Sequence, residues 1–189
     1  MATDDRPLRA DAQRNRDRLL EVAVGAFSKD GPDVPLDSIA KAAGVGIGTL
    51  YRHFPTREAL VEAAYRNELA RVCVADELLA TLPPDAAMRT WMDRFVDYMT
   101  TKRGMADALR AVIASGGDPF AHSRDRMVAA IRALLDAGAA ADALRSDVEP
   151  VDVLMSLSGI SLAAGEPAQR EQAGRLLDLL MDGLRYRDR

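Results

Sequence analysis

The chain has 189 residues, 48% of them hydrophobic and 29% charged, with a formal net charge of −4 at pH 7; a soluble, packed protein is expected, not a disordered one. A single cysteine, Cys73, excludes an internal disulfide framework and fits a reducing compartment. The longest uncharged run, 153–165, is too short to cross a bilayer as a helix, and the leading MATDDRPLRADAQRNRDR has no apolar core of the signal-peptide kind, so a cytoplasmic protein with no membrane partner is predicted.

The negative total argues at first against nucleic acid, but the charge is unevenly distributed. Residues 1–66 carry ten Lys/Arg and ten Asp/Glu, whereas residues 67–189 carry fifteen and nineteen and hold the whole deficit. The early basic residues Arg6, Arg9, Arg14, Arg16 and Arg18 form a leading arm compatible with phosphate contacts.

No run alternates β-branched and aromatic residues between hairpin turns. Helical spacing recurs almost throughout, with breaks at 31–35, 44–46, Pro55, 83–84, 116–119, Pro150 and Pro167. The pattern predicts an all-α chain of about nine helices.

The first helix carries Leu19, Leu20, Ala23, Ala26 and Phe27 on one face and Arg14, Asp17, Arg18 and Glu21 on the other, ending at KDGPDVP. The second is short. Leu36, Ile39, Ala40 and Ala43 share a face, and Gly44 follows in the place a helix C-terminus favours. A third helix starts soon after and stops at Pro55. Thr56 then caps a fourth, read from Arg57 through Leu82, with Glu58 in its first turn where the dipole favours an anion. Two short helices joined by a glycine-containing turn, with a longer helix before them, make a helix-turn-helix over 35–54.

On the third helix Ile47, Leu50, Tyr51 and Phe54 cluster on one side, leaving Gly48, Thr49, Arg52 and His53 opposite. Such a face fits the DNA major groove, where an arginine makes paired hydrogen bonds to guanine and a threonine offers a hydroxyl and a methyl. Thr49 and Arg52 are the base-reading candidates. Tyr51, His53 and Arg57 are candidates for the phosphate backbone, and Gly48 gives clearance. The rival, that GVGIG cradles a nucleotide phosphate, needs a preceding strand and a G-x-G-x-x-G or Walker spacing. Here the glycines are spaced G-x-G-x-G behind the helical SIAKAAG.

The run LLEVAVGAFSKDG followed by LDSIAKAAGVGIGTLYRHFPTREALVEAAY resembles the DNA-binding domain of the TetR family of bacterial transcriptional regulators. The resemblance implies DNA contacts at Gly46, Thr49, Tyr51, Arg52, His53 and Arg57. It implies a three-helix helix-turn-helix domain over 12–66 and a larger helical ligand-binding and dimerisation domain over 67–189. Two positions depart from the family pattern. Pro35 stands where a capping, phosphate-contacting threonine is common, and proline has no such hydroxyl. Ile47 stands where a polar or basic residue is frequent; it packs or meets a thymine methyl.

In the remainder Met88, Trp91, Met92, Phe95 and Met99 form a stripe of large side chains, read either as core or as the lining of a small-molecule pocket with Met105, Leu109, Phe120 and Met127. The last two helices offer Leu154, Leu157 and Ile160, then Leu176, Leu180 and Leu184, among small residues. These are the candidates for the four-helix dimer interface that the resemblance implies, or else for packing within the chain. A two-fold dimer favours a near-palindromic operator.

Enzyme chemistry finds little footing, and no cofactor is expected. The only histidines are His53 and His122, no group has metal-ligand spacing, and Cys73 reads as a small buried apolar residue. The expected function is a homodimeric, ligand-responsive repressor whose partners are an operator duplex and a largely apolar effector. The alternative is a helical small-molecule- or partner-binding protein without sequence-specific DNA binding.

Overall fold

The computed structural model describes residues 6–164 and 166–185, and side chains from residue 11 onward except that of Pro167. Arg6 and Arg9 of the basic arm therefore lie outside the described side chains. Among the described residues there are ten α-helices, one 3-10 turn and no strand.

They divide into two compact units, residues up to 67 with 101–119, and 68–100 with 120–185. In the first unit α1 spans Arg6–Asp30, α2 Leu36–Ala42 and α3 Ile47–His53, and α4, Arg57–Val72, begins there. α1 buries Leu19, Leu20, Ala23 and Phe27, and α2 buries Leu36, Ile39 and Ala40. The small Ala40 and Ala43, both buried, keep the second helix slim where its neighbours press on it.

α2 ends in a Schellman arrangement: the Gly44 N–H donates to the Lys41 carbonyl at 3.0 Å and the Val45 N–H to that of Ala40 at 3.0 Å. Gly44 sits at φ +71°, a left-handed conformation that favours glycine. The turn that redirects the chain from α2 into α3 is therefore fixed locally. Thr56 caps α4 as expected, its hydroxyl oxygen accepting the Ala59 N–H at 3.1 Å.

α4 stops at Val72, and a separate short α5 covers Ala75–Leu79, so the single helix expected from Arg57 to Leu82 is divided. The Cys73 N–H closes the last turn onto the Leu69 and Ala70 carbonyls, and Val74 leaves the helical region at φ −94°, ψ 78°. Two β-branched valines flank this corner, where their stiff side chains favour helix less than the straight-chain residues around them do.

α6 spans Pro84–Gly104, α7 Ala106–Ala114, α8 Ser123–Ala140, α9 Pro150–Ala163 and α10 Arg170–Leu184, the last preceded by a 3-10 turn at Pro167–Gln169. Proline opens α6 and α9, where its missing N–H costs nothing. In the second unit α8 packs on α9 and on α5, and α9 packs on α10. The alanine-rich DAGAAADAL resolves into the end of α8 and its exit. Asp142 adopts φ +52°, the Ala143 N–H returns to the Gly138 carbonyl at 2.9 Å, and the Arg145 N–H ties the exit to Leu184 at 2.9 Å. No helix among the described residues is long and apolar enough to cross a membrane.

Candidate nucleic-acid interface

α3 is only two turns long, so its buried face holds little. Leu50 and Phe54, one turn apart, are fully covered, and the Arg16 guanidinium of α1 lies 5.6 Å from the centre of the Phe54 ring. Ile47 and Tyr51 keep 36% and 49% of their surface exposed, so the four apolar residues do not share one buried stripe. They are split. Leu50 and Phe54 anchor the helix, while Ile47 and Tyr51 join the outward edge with Gly48 and Arg52, which are exposed. Thr49 and His53 are half-buried at the margins of this edge.

Two glycines on this edge have no internal reason to be glycine. A Cβ built on Gly46 or on Gly48 meets nothing within 4 Å among the described residues, and neither residue has positive φ. Inside a short helix Gly48 costs roughly 0.5–1 kcal/mol against alanine. A fold that carries this cost without steric need leaves the outside of the helix as the place where a small residue matters.

Arg57, assigned by sequence to the DNA backbone, is turned inward. Its Nη1 donates to the Pro32 carbonyl at 2.8 Å and to the Val34 carbonyl at 2.6 Å, both in the loop between α1 and α2. Of the basic arm, Arg14 pairs with Asp11 one turn before it, and Arg16 is spent on covering Phe54.

The remaining predicted residues fall in different surroundings. Met88, Trp91, Met92 and Phe95 of α6 are fully buried, and Met99 is half-buried. Trp91 stacks on Phe95 with ring centres 5.8 Å apart, and its Nε1 is buried without a hydrogen-bond partner among the described residues. Met127 is buried in the same unit, Met105 and Leu109 are buried in the first, and Phe120 is exposed. An open cleft of about 330 Å³ lies elsewhere in the second unit, between the α4–α5 corner and α8, walled by Cys73, Val74, Asp76, Arg126 and four alanines. None of the nine predicted pocket residues lines it. Cys73 is half-buried on this wall, and burial pushes its thiol pKa up against the pull of the Arg126 charge.

On the last two helices Leu154, Leu157 and Leu184 are buried inside their own unit, and Ile160, Leu176 and Leu180 are half-buried. The apolar residues left open are Met155, Leu162 and Leu179, at 62%, 80% and 67% exposure. Met155, Gly159 and Leu162 share one face of α9, and Leu176, Leu179 and Gly183 one face of α10. This face was present in the sequence at i, i+4, i+7 spacing on α9 and i, i+3, i+7 on α10, but a regular leucine series beside it gave the stronger signal. Arg89 and Arg170 brace α10 against α6, both donating to Asp93 and reaching Asp178 and Asp97 respectively.

Comparison with known proteins agrees with this architecture. Residues 19–64 match the family model described as bacterial regulatory proteins, tetR family, and residues 83–186 match the C-terminal domain of SbtR-like transcriptional regulators. A TetR transcriptional regulator of Streptomyces coelicolor is 57% identical, with a TM-score of 0.88 over 92% of this chain and 99% of that one. A TetR regulatory protein of Mycobacterium vanbaalenii is 36% identical, with a TM-score of 0.76 over 95% and 99% of the two chains. Among curated sequences, a helix-turn-helix transcriptional regulator of Staphylococcus aureus is 38% identical over 63 residues, 33% of this chain and 34% of that protein. That last match spans about a third of the relative's length and falls short of its remainder. With an exposed two-turn helix behind a Schellman turn, and with both parts of the chain matched, the protein belongs to the TetR family of bacterial regulatory proteins.

Proposed function

We propose that the chain is a ligand-responsive transcriptional repressor, acting in the cytoplasm as a homodimer that grips a near-palindromic operator and releases it when a small, largely apolar effector binds. The outer edge of α3 carries this reading: glycine stands at 46 and 48 where no neighbour requires it, beside exposed Ile47, Tyr51 and Arg52. Arg52 is the base reader, with its planar fork for a guanine edge, and Thr49 and Ile47 offer methyl groups to thymine. Tyr51 and His53 take phosphates, and Gly46 and Gly48 let the backbone of the helix approach the duplex.

Members of the family bind DNA and dimerise. In this chain the dimer face is Met155, Gly159 and Leu162 of α9 with Leu176, Leu179 and Gly183 of α10. Large apolar residues at such exposure are unusual on a monomer, and the glycines between them permit close helix approach. The effector site is the α6 stripe around Trp91. Its methionines are adaptable, and the unpartnered Nε1 suits a ligand carrying one hydrogen-bond acceptor.

Selection of duplexes from a random pool by the purified protein tests the reading. A two-fold symmetric sequence is expected, with log affinity falling linearly as log salt rises, by about 0.9 per phosphate neutralised. Absence of any preferred sequence leaves a helical binding protein that does not read DNA. For the pocket, Trp91→Phe keeps the ring packing and removes the donor; it is expected to weaken an effector that releases the wild-type complex, and unchanged release would remove Trp91 from the site.

A further inference from the structure

The helix-turn-helix begins at Leu36 and ends at His53, and Arg57 lies just beyond its far end. From the first residue of α4 its Nη1 reaches back across the motif to the carbonyls of Pro32 and Val34, just before the near end. One side chain thus closes the motif end to end.

The need for such a closure is visible in α2. Its N-cap is Pro35, which makes no side-chain cap hydrogen bond, and the Ser38 hydroxyl turns onto the Pro35 carbonyl at 2.6 Å instead of steadying the loop. The entry segment GPDVP is stiffened by two prolines and buries Val34, and Arg57 ties its Pro32 and Val34 carbonyls to the start of α4. A charged donor on two backbone acceptors is also among the stronger hydrogen-bonding arrangements available to a half-buried side chain.

We infer that Arg57 is a positioning residue: it fixes the entry of α2 against the start of α4, sets the angle at which α3 is presented, and does not neutralise a phosphate. The inference rests on the DNA-reading function proposed above. It separates two properties that a phosphate ligand would move together. Affinity for the preferred duplex depends on the angle of α3, whereas affinity for an unrelated duplex depends mainly on the number of phosphates neutralised.

The test compares Arg57→Gln and Arg57→Lys with wild type on two duplexes, the one wild type selects from a random pool and an unrelated one, over a range of salt. Lysine keeps the charge but is one atom shorter, so it does not span both carbonyls. Both variants are expected to lose about tenfold or more on the selected duplex, the scale of a lost charge-assisted bond. On the unrelated duplex they should stay within about twofold, with the salt slope unchanged. A slope reduced by about 0.9 in Arg57→Gln, with both duplexes weakened alike and lysine restoring them, would overturn the inference in favour of a phosphate contact. Unaltered binding to both duplexes would overturn it as well. If the variants do not fold, or if wild type selects no duplex and the DNA-reading proposal fails by itself, the guanidinium of wild-type Arg57 is read by nitrogen NMR. Distinct, slowly exchanging Nη signals that do not move when an unrelated duplex is added are the expected result. A single averaged signal, or one that shifts with DNA, would overturn the clamp.

Discussion

At the scale of single residues, Gly48 separates fold from function most cleanly. Its backbone is helical and a Cβ there has open space, so Gly48→Ala should raise the stability of the folded protein by roughly 0.5–1 kcal/mol. The same methyl stands between α3 and the duplex, so affinity for the preferred sequence should fall. Denaturant melts and binding isotherms on one preparation check both signs, and a variant that gains stability and keeps its affinity would place Gly48 away from DNA. Cys73 makes a second case. Burial raises its thiol pKa, so the thiolate fraction near neutral pH is below that of an unshielded cysteine. Alkylation by iodoacetamide should be slow at pH 7 and should keep accelerating with pH beyond the point where a free thiol levels off. The folded state holds the thiol form, so this group's stabilising contribution is present below the ordinary thiol pKa and fades as pH rises through the raised value.

Among the elements, those whose ends carry local chemistry were legible in the sequence. Gly44, Thr56 and the prolines that open α6 and α9 mark boundaries because each satisfies or forbids a particular backbone hydrogen bond, whatever the chain does elsewhere. The corner between α4 and α5 was not legible. No glycine or proline marks it, and Val72 to Val74 read equally well as helix until packing decides. The split of the α3 face was hidden for a related reason: a helical wheel orders side chains by angle, but how wide a face is covered depends on neighbours. One close approach gives a prediction at this scale. A Cβ on Gly104, at the end of α6, would lie 2.9 Å from Ser28 Cβ and 3.1 Å from the Ser28 carbonyl oxygen of α1. Backbone cannot give way as a side-chain tip can, so Gly104→Ala should destabilise the first unit by about 1–3 kcal/mol. A Gly104→Ala protein melting like wild type would show that this approach is loose.

For the whole molecule, the reading requires two copies. Of the residues the sequence offered for the interface, Leu154, Leu157 and Leu184 are buried in the core of their own unit, and the apolar residues left exposed on the same two helices are Met155, Leu162 and Leu179. Leu162→Glu and Leu179→Glu put a charge on exposed positions, so the subunit should still fold while association is lost, visible as a halved mass by light scattering at unchanged helicity. Loss of the dimer should also remove most of the affinity for a two-half-site duplex, since the second half-site then binds without the gain of linkage. The central claim, that two copies of α3 read DNA through the edge bearing Arg52, is tested most directly by running the random-duplex selection in parallel with wild type and Arg52→Ala. Wild type should enrich a two-fold symmetric sequence, and Arg52→Ala should relax one base position in each half-site, symmetrically, at a cost of ~1–3 kcal/mol per contact. Identical base preferences from the two proteins, or a change in one half-site alone, would contradict it.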